Sequence, residues 1–257
     1  STQAKTLFPY TTLFRSLKEG IHDALFPMMY FQGNNFYPFA LDWKENDGKR
    51  WIIPGLGIYF LSPREQDWPL DEIVRQIHFT RQIKLNGQAY FRNRFLLDNT
   101  KGVLDELEEN FYTYPALIPP MTWSDSIPPS VPSHPSVQQI ANGKLRMSWQ
   151  ASADNSNQSV VYHLYGSDTY PVDIKQPQNL IATHLIANEY EYTAKLPWLQ
   201  KRYFAVTAAD RFGNESAPLT LNTVSDMDIP LLNKGNMLYL PEIKDAQTII
   251  IYNMTNE

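Results

Sequence analysis

Three apolar segments in the first 92 residues each place a tyrosine near their end, and polar side chains accompany it. The residues concerned are Tyr30, Gln32, Asn34, Tyr59, Tyr90 and Arg92. Aromatic faces can stack on the C–H surface of a sugar ring, while amide and guanidinium groups hydrogen-bond hydroxyls or a carboxylate. These side chains are therefore candidates for binding a ligand with an apolar ring face and polar edges, such as a sugar. The alternative is that the tyrosines fill layers between strands and helices and bond their hydroxyls to backbone carbonyls.

Arg92 is the most informative of these side chains because its neighbours have the pattern of a buried strand. A buried arginine needs an anionic partner or an anionic ligand. That partner is either part of a bound substrate or an acidic side chain of the same fold. The sequence leaves both explanations open.

Strand-like segments carry these residues. Residues 24–30 and 51–60 are near-continuous apolar runs of strand length, as expected where both faces of a parallel sheet are buried. Residues 87–91 form a third, shorter strand. Each of the predicted site residues lies within one of these segments or a few positions beyond it.

Helical patterns separate and follow the strands. Pro69 opens a helix in its first turn, and Asn99 or Thr100 can cap a final helix. The apolar side chains with helical spacing are Leu70, Ile73, Val74 and Ile77 in the first helix and Leu104, Leu107 and Phe111 in the second. This alternation predicts an α/β fold of βαβ units, in an open parallel sheet or a (β/α)8 barrel.

A proline-rich stretch ends this region. Six prolines lie between Pro119 and Pro135, and proline fixes φ and lacks a backbone donor, which excludes helix and central strand. We place a semi-rigid linker at residues 124–135.

Helical periodicity disappears after the linker. Short strands now alternate with turn residues, for example at residues 144–150 and 189–193. This spacing predicts a second, all-β domain, a seven-stranded sandwich, over residues 136–225. Two further strand-like runs follow within residues 226–257.

The composition excludes several classes of function. A formal net charge of −5 and a pI of about 5.6 argue against a nucleic-acid or anionic-membrane partner. The chain has no cysteine and its five histidines lack metal-ligand spacing, so we predict no disulfide, no metal and no cofactor. No apolar run reaches the roughly 18–20 residues of a membrane span.

The N-terminal residues have an unusual origin. Residues 6–16 read TLFPYTTLFRS, which resembles the in-frame translation of a common sequencing adapter, although a Thr/Phe-rich strand is an alternative. We therefore set residues 1–16 aside as an artefactual segment before reasoning about the fold. The parent protein is then expected to be longer than this chain.

Five stretches in residues 17–123 resemble the C-terminal part of the glycosyl hydrolase-like 10 family of bacterial proteins, in order and in spacing. They are FPMMY (26–30), IPGLGIY (53–59), RQI (75–77), GQAYFR (87–92) and YPALIPPMTW (114–123). The resemblance implies a partial (β/α)8 barrel consisting of its last three strands, since a whole barrel takes about 250 residues. The site residues would then lie at the carboxyl ends of barrel strands, where such enzymes bind substrate.

Residues 136–225 are similar to a fibronectin type III domain. Trp149 matches the core tryptophan of its second strand, and residues 204–216 match its penultimate strand and the turn that follows. The position of the conserved corner tyrosine holds Phe204. Either that tether is lost, or Tyr203 takes its place. Residues 226–257 resemble the start of a C-terminal sorting domain of exported Bacteroidetes proteins.

Catalytic residues are not evident in this chain. Glycoside hydrolysis normally uses two carboxylates, one as acid and the other as nucleophile or base. No glutamate stands at the end of the three strands, and the acids nearby, Asp42, Glu65 and Asp67, are more simply explained as solvated side chains. We expect the essential carboxylates upstream of Leu17.

These resemblances imply that the parent is an exported bacterial glycoside hydrolase. It would hydrolyse O-glycosidic bonds of a polysaccharide or of peptidoglycan glycan, and this chain alone would be inactive. Its location would be the periplasm, the cell surface or the extracellular space, with the signal peptide lost from the N-terminus. The alternative is a non-catalytic carbohydrate-binding or surface adhesion protein with a degenerate barrel.

Overall fold

The computed structural model describes residues 12–141, 143–156, 158–194 and 201–222, together with the backbone of two short strands within residues 232–239. Residues 1–11 lie outside the described part of the chain. The predicted sorting segment, residues 226–257, also lies outside it except for those two strands.

The α-helices of the described chain lie in its first half. Residues 12–18 form α1. The others are α2 (Tyr37–Glu45), α3 (Leu70–Gln82), α4 (Asn93–Leu97) and α5 (Val103–Glu106). A π-helical turn, Leu107–Phe111, continues α5. Short 3-10 turns occur at Gly33–Asn35, Ile58–Leu61, Thr100–Gly102 and Pro177–Asn179.

The strands form two sets, before and after the linker. The first set is β1 (Ala24–Leu25), β2 (Trp51–Ile52), β3 (Gly55–Leu56) and β4 (Ala89–Tyr90). The second set is β5 (Ser133–Ala141), β6 (Lys144–Gln150), β7 (Val161–Ser167), β8 (Leu180–Leu185), β9 (Glu189–Thr193), β10 (Tyr203–Ala209) and β11 (Leu219–Thr220). Two strands of the tail, β12 (Leu232–Lys234) and β13 (Met237–Tyr239), pair antiparallel.

The first set makes one parallel sheet of three chain segments. β1 pairs with β2 and β3 pairs with β4, both in parallel, and a parallel bridge joins Met28 to Gly55. Residues 51–56 are therefore the middle segment, and α2 and α3 lie in the two crossovers. These described strands do not close into a barrel. A complete (β/α)8 barrel would need strands in addition to these, so the barrel stays a prediction.

The middle segment is shorter than the strand predicted at residues 51–60. Extended pairing ends at Leu56, and residues 58–61 form a 3-10 turn. At Gly57 the backbone has φ −83° and ψ 66°, outside the extended range of ψ, so the chain turns there. Tyr59 is thus carried by a turn at the carboxyl end of the sheet instead of by a strand.

The helix predicted after Pro69 is confirmed as α3. Two of its predicted apolar residues, Ile73 and Ile77, are buried in the same core cluster as Ile52 of β2. The last helix begins at Val103, and its N-cap residue is Gly102 instead of the predicted Asn99 or Thr100. Asn99 Oδ1 still accepts from Leu104 N in its first turn, at 2.8 Å.

The described part of the adapter-like segment packs against this core. Leu13 and Phe14 pack against the core cluster that contains Leu17, and the rings of Phe14 and Trp43 meet edge to face at 4.8 Å. Residues 12–18 thus cover one side of α2. The adapter origin of residues 6–16 stays a prediction.

The second set forms two antiparallel sheets, in the orders β5-β6-β9 and β11-β10-β7-β8. The strands predicted at residues 144–150 and 189–193 have those bounds. Both sheets contribute to one buried cluster that includes Trp149, Tyr162 and Phe204. Tyr203 lies apart from that cluster, against Tyr170 at 5.5 Å, so the corner position inside the core is the phenylalanine.

The predicted linker is shorter than residues 124–135 because β5 already begins at Ser133. β5 is the edge strand of its sheet, and an edge strand tolerates the missing N–H of Pro135. The stretch before β5 contacts both halves of the chain. Trp123 Nε1 donates to Asp23 Oδ1 at 2.8 Å, and Met121 N donates to Phe212 O at 2.8 Å.

No helix in the described residues combines the length and the apolar character that crossing a bilayer requires.

His163 makes the stability of the sandwich depend on pH. The side chain is 4% exposed. Burial lowers its pKa, as does His184, and Glu215 only partly opposes this. Below the usual value of 6.5 the unfolded chain therefore binds more protons than the folded one, so stability is lost as pH falls from about 6.5. We expect the urea midpoint of unfolding to drop between pH 7.5 and pH 5.5, and His163→Gln to remove most of that drop. An equal drop in the variant would contradict this assignment.

Candidate functional site

An aromatic cluster lies at the carboxyl ends of the three parallel segments. The rings of Tyr30 and Phe91 are stacked, with centroids 5.4 Å apart and 20° between their planes. The Tyr59 ring stands nearly perpendicular to both, at 5.7 Å from Tyr30 and 5.6 Å from Phe91. Phe91 remains 45% exposed. The three segments therefore converge on one partly exposed aromatic surface, which we call the aromatic cluster.

Two glycines of the middle segment form the floor beneath Tyr30. A Cβ atom on Gly55 would lie 3.2 Å from Tyr30 Cε1, and one on Gly57 would lie 3.2 Å from Tyr30 Cβ. Such distances are too short for a relaxed contact, so any larger residue would displace the ring. The absence of side chains at Gly55 and Gly57 therefore leaves space for the Tyr30 side chain beside the middle segment.

The hydroxyls of the two clustered tyrosines stay protonated at neutral pH. Burial raises the pKa of Tyr30, and neighbouring Tyr59 adds to this. Burial also raises the pKa of Tyr59, and the negative charge of Glu65 raises it further. Tyr30 donates to Met28 Sδ at 2.8 Å, a weak acceptor that a sugar hydroxyl could replace.

Tyr90 does not join the aromatic cluster. Successive side chains of a strand point to opposite faces, and Tyr90 faces α3 whereas Phe91 faces the cluster. Its hydroxyl pairs with that of Tyr112 at 2.8 Å, Tyr112 donates to Gln88 Oε1 at 2.9 Å, and Gln88 Nε2 donates to Thr80 Oγ1 at 2.8 Å. Burial and the bond to Tyr112 raise the pKa of Tyr90. Tyr90 therefore lies outside the aromatic cluster, whose third ring is that of Phe91.

Arg92 is exposed, so the expectation that it lies in a buried strand is wrong. It follows the last residue of the cluster, through a cis peptide bond with Phe91. Its guanidinium carbon lies 5.5 Å from the centroid of the Phe95 ring. The ion pairs found among the described residues do not include Arg92. The guanidinium is therefore accessible to a ligand beside the cluster.

Gln32 and Asn34 are exposed on the loop that follows Tyr30. The loop forms the 3-10 turn Gly33–Asn35, in which Asn35 N donates to Gln32 O at 3.1 Å. The two amide side chains thus follow Tyr30 of the aromatic cluster in the chain and are exposed to solvent.

The three acids near the strand ends differ in their surroundings. Asp42 Oδ1 accepts from Asn46 at 3.0 Å, and Asp67 Oδ1 accepts from Lys101 Nζ at 2.6 Å. Glu65 is exposed, and its charge acts on the hydroxyl of Tyr59. Glu65 is therefore the acid of these three that belongs to the surroundings of the aromatic cluster.

A separate open cleft of about 470 Å³ is lined by Gly33 of the same loop and by residues of α2 and α3. None of the predicted site residues lines it. Its walls are Gly33, Tyr37, Glu72, Arg75, His78, Phe79 and Gln82.

The described residues contain no group of three or more His, Cys, Asp or Glu side chains arranged to hold a metal ion. The aromatic cluster forms a stacking surface, and hydroxyl, amide and guanidinium groups follow its rings in the chain. It suits a ring with one apolar face and polar substituents at its edge.

Comparison with known proteins gives one distant relative. The chain is 29% identical over 211 residues to "Glycosyl hydrolase YngK" of Bacillus subtilis (strain 168), a match that covers 78% of this chain and 41% of the relative. The chain thus spans less than half of that protein. No protein-family model matches the chain.

Two solved structures align with about a third of the chain. "Crystal structure of domains A168-A170 from titin" matches at 13% identity with a TM-score of 0.25, over 35% of this chain and 29% of that one. "Titin kinase and its flanking domains" matches at 15% identity with the same TM-score, over 35% and 15%.

Proposed function

We propose that the chain is part of a glycoside hydrolase. Its aromatic cluster, formed by Tyr30, Tyr59 and Phe91, binds the glycan. The observation that carries the proposal is the convergence of three strand ends on one exposed aromatic surface. The distant relationship to a protein named as a glycosyl hydrolase agrees with it. The substrate class is a polysaccharide or peptidoglycan glycan.

Each part of the surface has a role in this proposal. The exposed face of Phe91 stacks on the C–H face of a sugar ring, supported by Tyr30 behind it. Gln32 and Asn34 bind hydroxyls, and Arg92 binds a hydroxyl or a carboxylate. Hydrolysis itself needs two carboxylates. We assign no catalytic pair within this chain.

We further infer the family and the domain organisation. The parallel sheet is the end of a barrel of the glycosyl hydrolase-like 10 family, and the sandwich is a fibronectin type III-like domain of an exported protein. The alternation of parallel strands with helices supports the first inference. The three-stranded and four-stranded antiparallel sheets around one core support the second.

Glycan binding and turnover test the function. The full chain and its Arg92→Ala and Tyr59→Ala variants are incubated with solubilised peptidoglycan and with a soluble polysaccharide. We expect each substitution to weaken binding about tenfold, the loss of about 1.4 kcal/mol, with unchanged circular dichroism. Lengthening the protein upstream should add release of reducing ends, which both variants reduce.

Two outcomes would change the assignment. If a longer protein binds the glycan but releases no reducing ends from it, the non-catalytic carbohydrate-binding alternative is favoured. Binding that neither substitution weakens would remove the aromatic cluster from the site.

A further inference from the structure

Helix α3 buries two polar side chains against the loop that carries Gln32 and Asn34. Glu72 is 4% exposed and Gln76 is fully buried. Gln76 Nε2 donates to Phe31 O and to Glu72 Oε1, both at 2.8 Å. Gly33 lines the same cleft as Glu72, and its backbone N–H contributes to the low pKa of that carboxylate. The loop backbone is therefore bonded to α3 at Phe31, directly before Gln32, and Gly33 lies beside the Glu72 carboxylate.

A buried carboxylate is costly unless hydrogen bonds compensate it. Burial raises the pKa of Glu72, but the hydrogen bonds from Arg75, Gln76 and Gly33 and the positive charge of Arg75 outweigh burial, so the pKa lies below its ordinary value. Arg75 Nη2 lies 2.7 Å from Glu72 Oε2. Glu72 thus stays charged at neutral pH, and a charged acceptor makes the stronger bond to Gly33.

The orientation of the Gln76 amide is fixed by its partners. Both of its Nε2 bonds go to acceptors, so exchanging the amide oxygen and nitrogen would lose both bonds. Gln76 Oε1 has no hydrogen-bond partner within the described residues. The amide orientation that bonds Nε2 to the loop at Phe31 O thus leaves Oε1 without a partner among the described residues.

We propose that Glu72 and Gln76 are positioning residues, which hold the loop of residues 31–35 so that Gln32 and Asn34 face the glycan bound at the aromatic cluster. The role in binding rests on the proposed function, whereas the fixing of the loop does not. Neither residue touches the glycan. A merely structural role would lower the stability of the whole sheet without a separate effect on the loop.

Hydrogen exchange in the full chain separates these possibilities. We expect Glu72→Ala to speed exchange of the Gly33 amide at least about tenfold while the amides of α3 exchange as in the unchanged chain. Glu72→Gln keeps an acceptor and should restore most of the protection. Asp71→Ala, an exposed neighbour in the same helical turn, is the matched control and should leave Gly33 unchanged. Gln76→Ala provides a second variant should Glu72→Ala fail to fold.

Binding of solubilised peptidoglycan by the same proteins completes the test. We expect Glu72→Ala and Gln76→Ala to weaken binding about fivefold and the control not at all. Unchanged Gly33 exchange in both variants overturns the proposal, as does faster exchange with unchanged glycan affinity. An unchanged chain that binds no glycan, while Gly33 still loses protection in Glu72→Ala, refutes the proposed function and leaves the fixing of the loop in place.

Discussion

A protein made of residues 17–123 alone should aggregate at concentrations at which residues 126–225 remain monomeric. Residues of α2 and α3 share a buried cluster with Ile52 and Leu56 of the parallel sheet, but other large apolar side chains of its segments are exposed. Phe26 is 53%, Met28 is 64% and Phe91 is 45% exposed. Among the described residues, no further strand pairs with the outer edges of this sheet. Exposed apolar side chains and open edges together favour association between copies.

The sandwich should remain monomeric because its two antiparallel sheets enclose a buried core of their own. Size-exclusion chromatography with light scattering compares the two pieces and the full chain at one concentration. The substitutions Phe26→Lys and Met28→Lys should reduce aggregation of the shorter piece. They replace exposed apolar side chains by charged ones, and both positions are more than half exposed. A soluble, monomeric 17–123 piece with a cooperative thermal transition would contradict the expectation.

Phe91→Ala should lower the affinity of the full chain for glycan about 30-fold, equivalent to about 2 kcal/mol. Phe91 contributes the most exposed ring of the aromatic cluster, and its removal also leaves Tyr30 without a stacking partner. Tyr30→Ala should have an effect of similar size because it removes the ring behind Phe91. Isothermal titration with a soluble oligosaccharide measures both.

Tyr112→Ala is a suitable control for that experiment. Tyr112 is 44% exposed, nearly as much as Phe91, but it bonds to Tyr90 and Gln88 on the other face of the sheet. Its loss should change affinity less than about twofold. Equal losses in Phe91→Ala and Tyr112→Ala would mean that exposed aromatic area in general, and not this cluster, binds the glycan.

Local signals in the sequence predicted much of the secondary structure. The spacing of Ile73 and Ile77 predicts α3, and the last helix follows the predicted capping residues Asn99 and Thr100, although it begins only at Val103. The strand predicted at residues 51–60 failed beyond Leu56, since the apolar pattern continues through Gly57 although the backbone turns there. Hydrophobicity alone does not report such a turn.

The candidate site was predictable only in part. The carboxyl-end positions of Tyr30 and Tyr59 follow from the strand pattern, but the third ring of the cluster is that of Phe91 and not of Tyr90. A strict period of two would have placed Phe91 on the face opposite to Tyr90. The sequence does not predict the burial of Glu72 and Gln76, because polar residues of a helix are normally solvated. Only the loop that packs on them explains their burial.

The most direct test of the glycan site is a chemical-shift titration of the full chain with a soluble oligosaccharide. We expect the resonances of Tyr30, Tyr59 and Phe91 to shift and to saturate together. Smaller shifts are expected at Gln32, Asn34 and Arg92, and no shifts are expected in the sandwich core. Shifts confined to the sandwich, or no shifts at saturating oligosaccharide, would contradict this expectation.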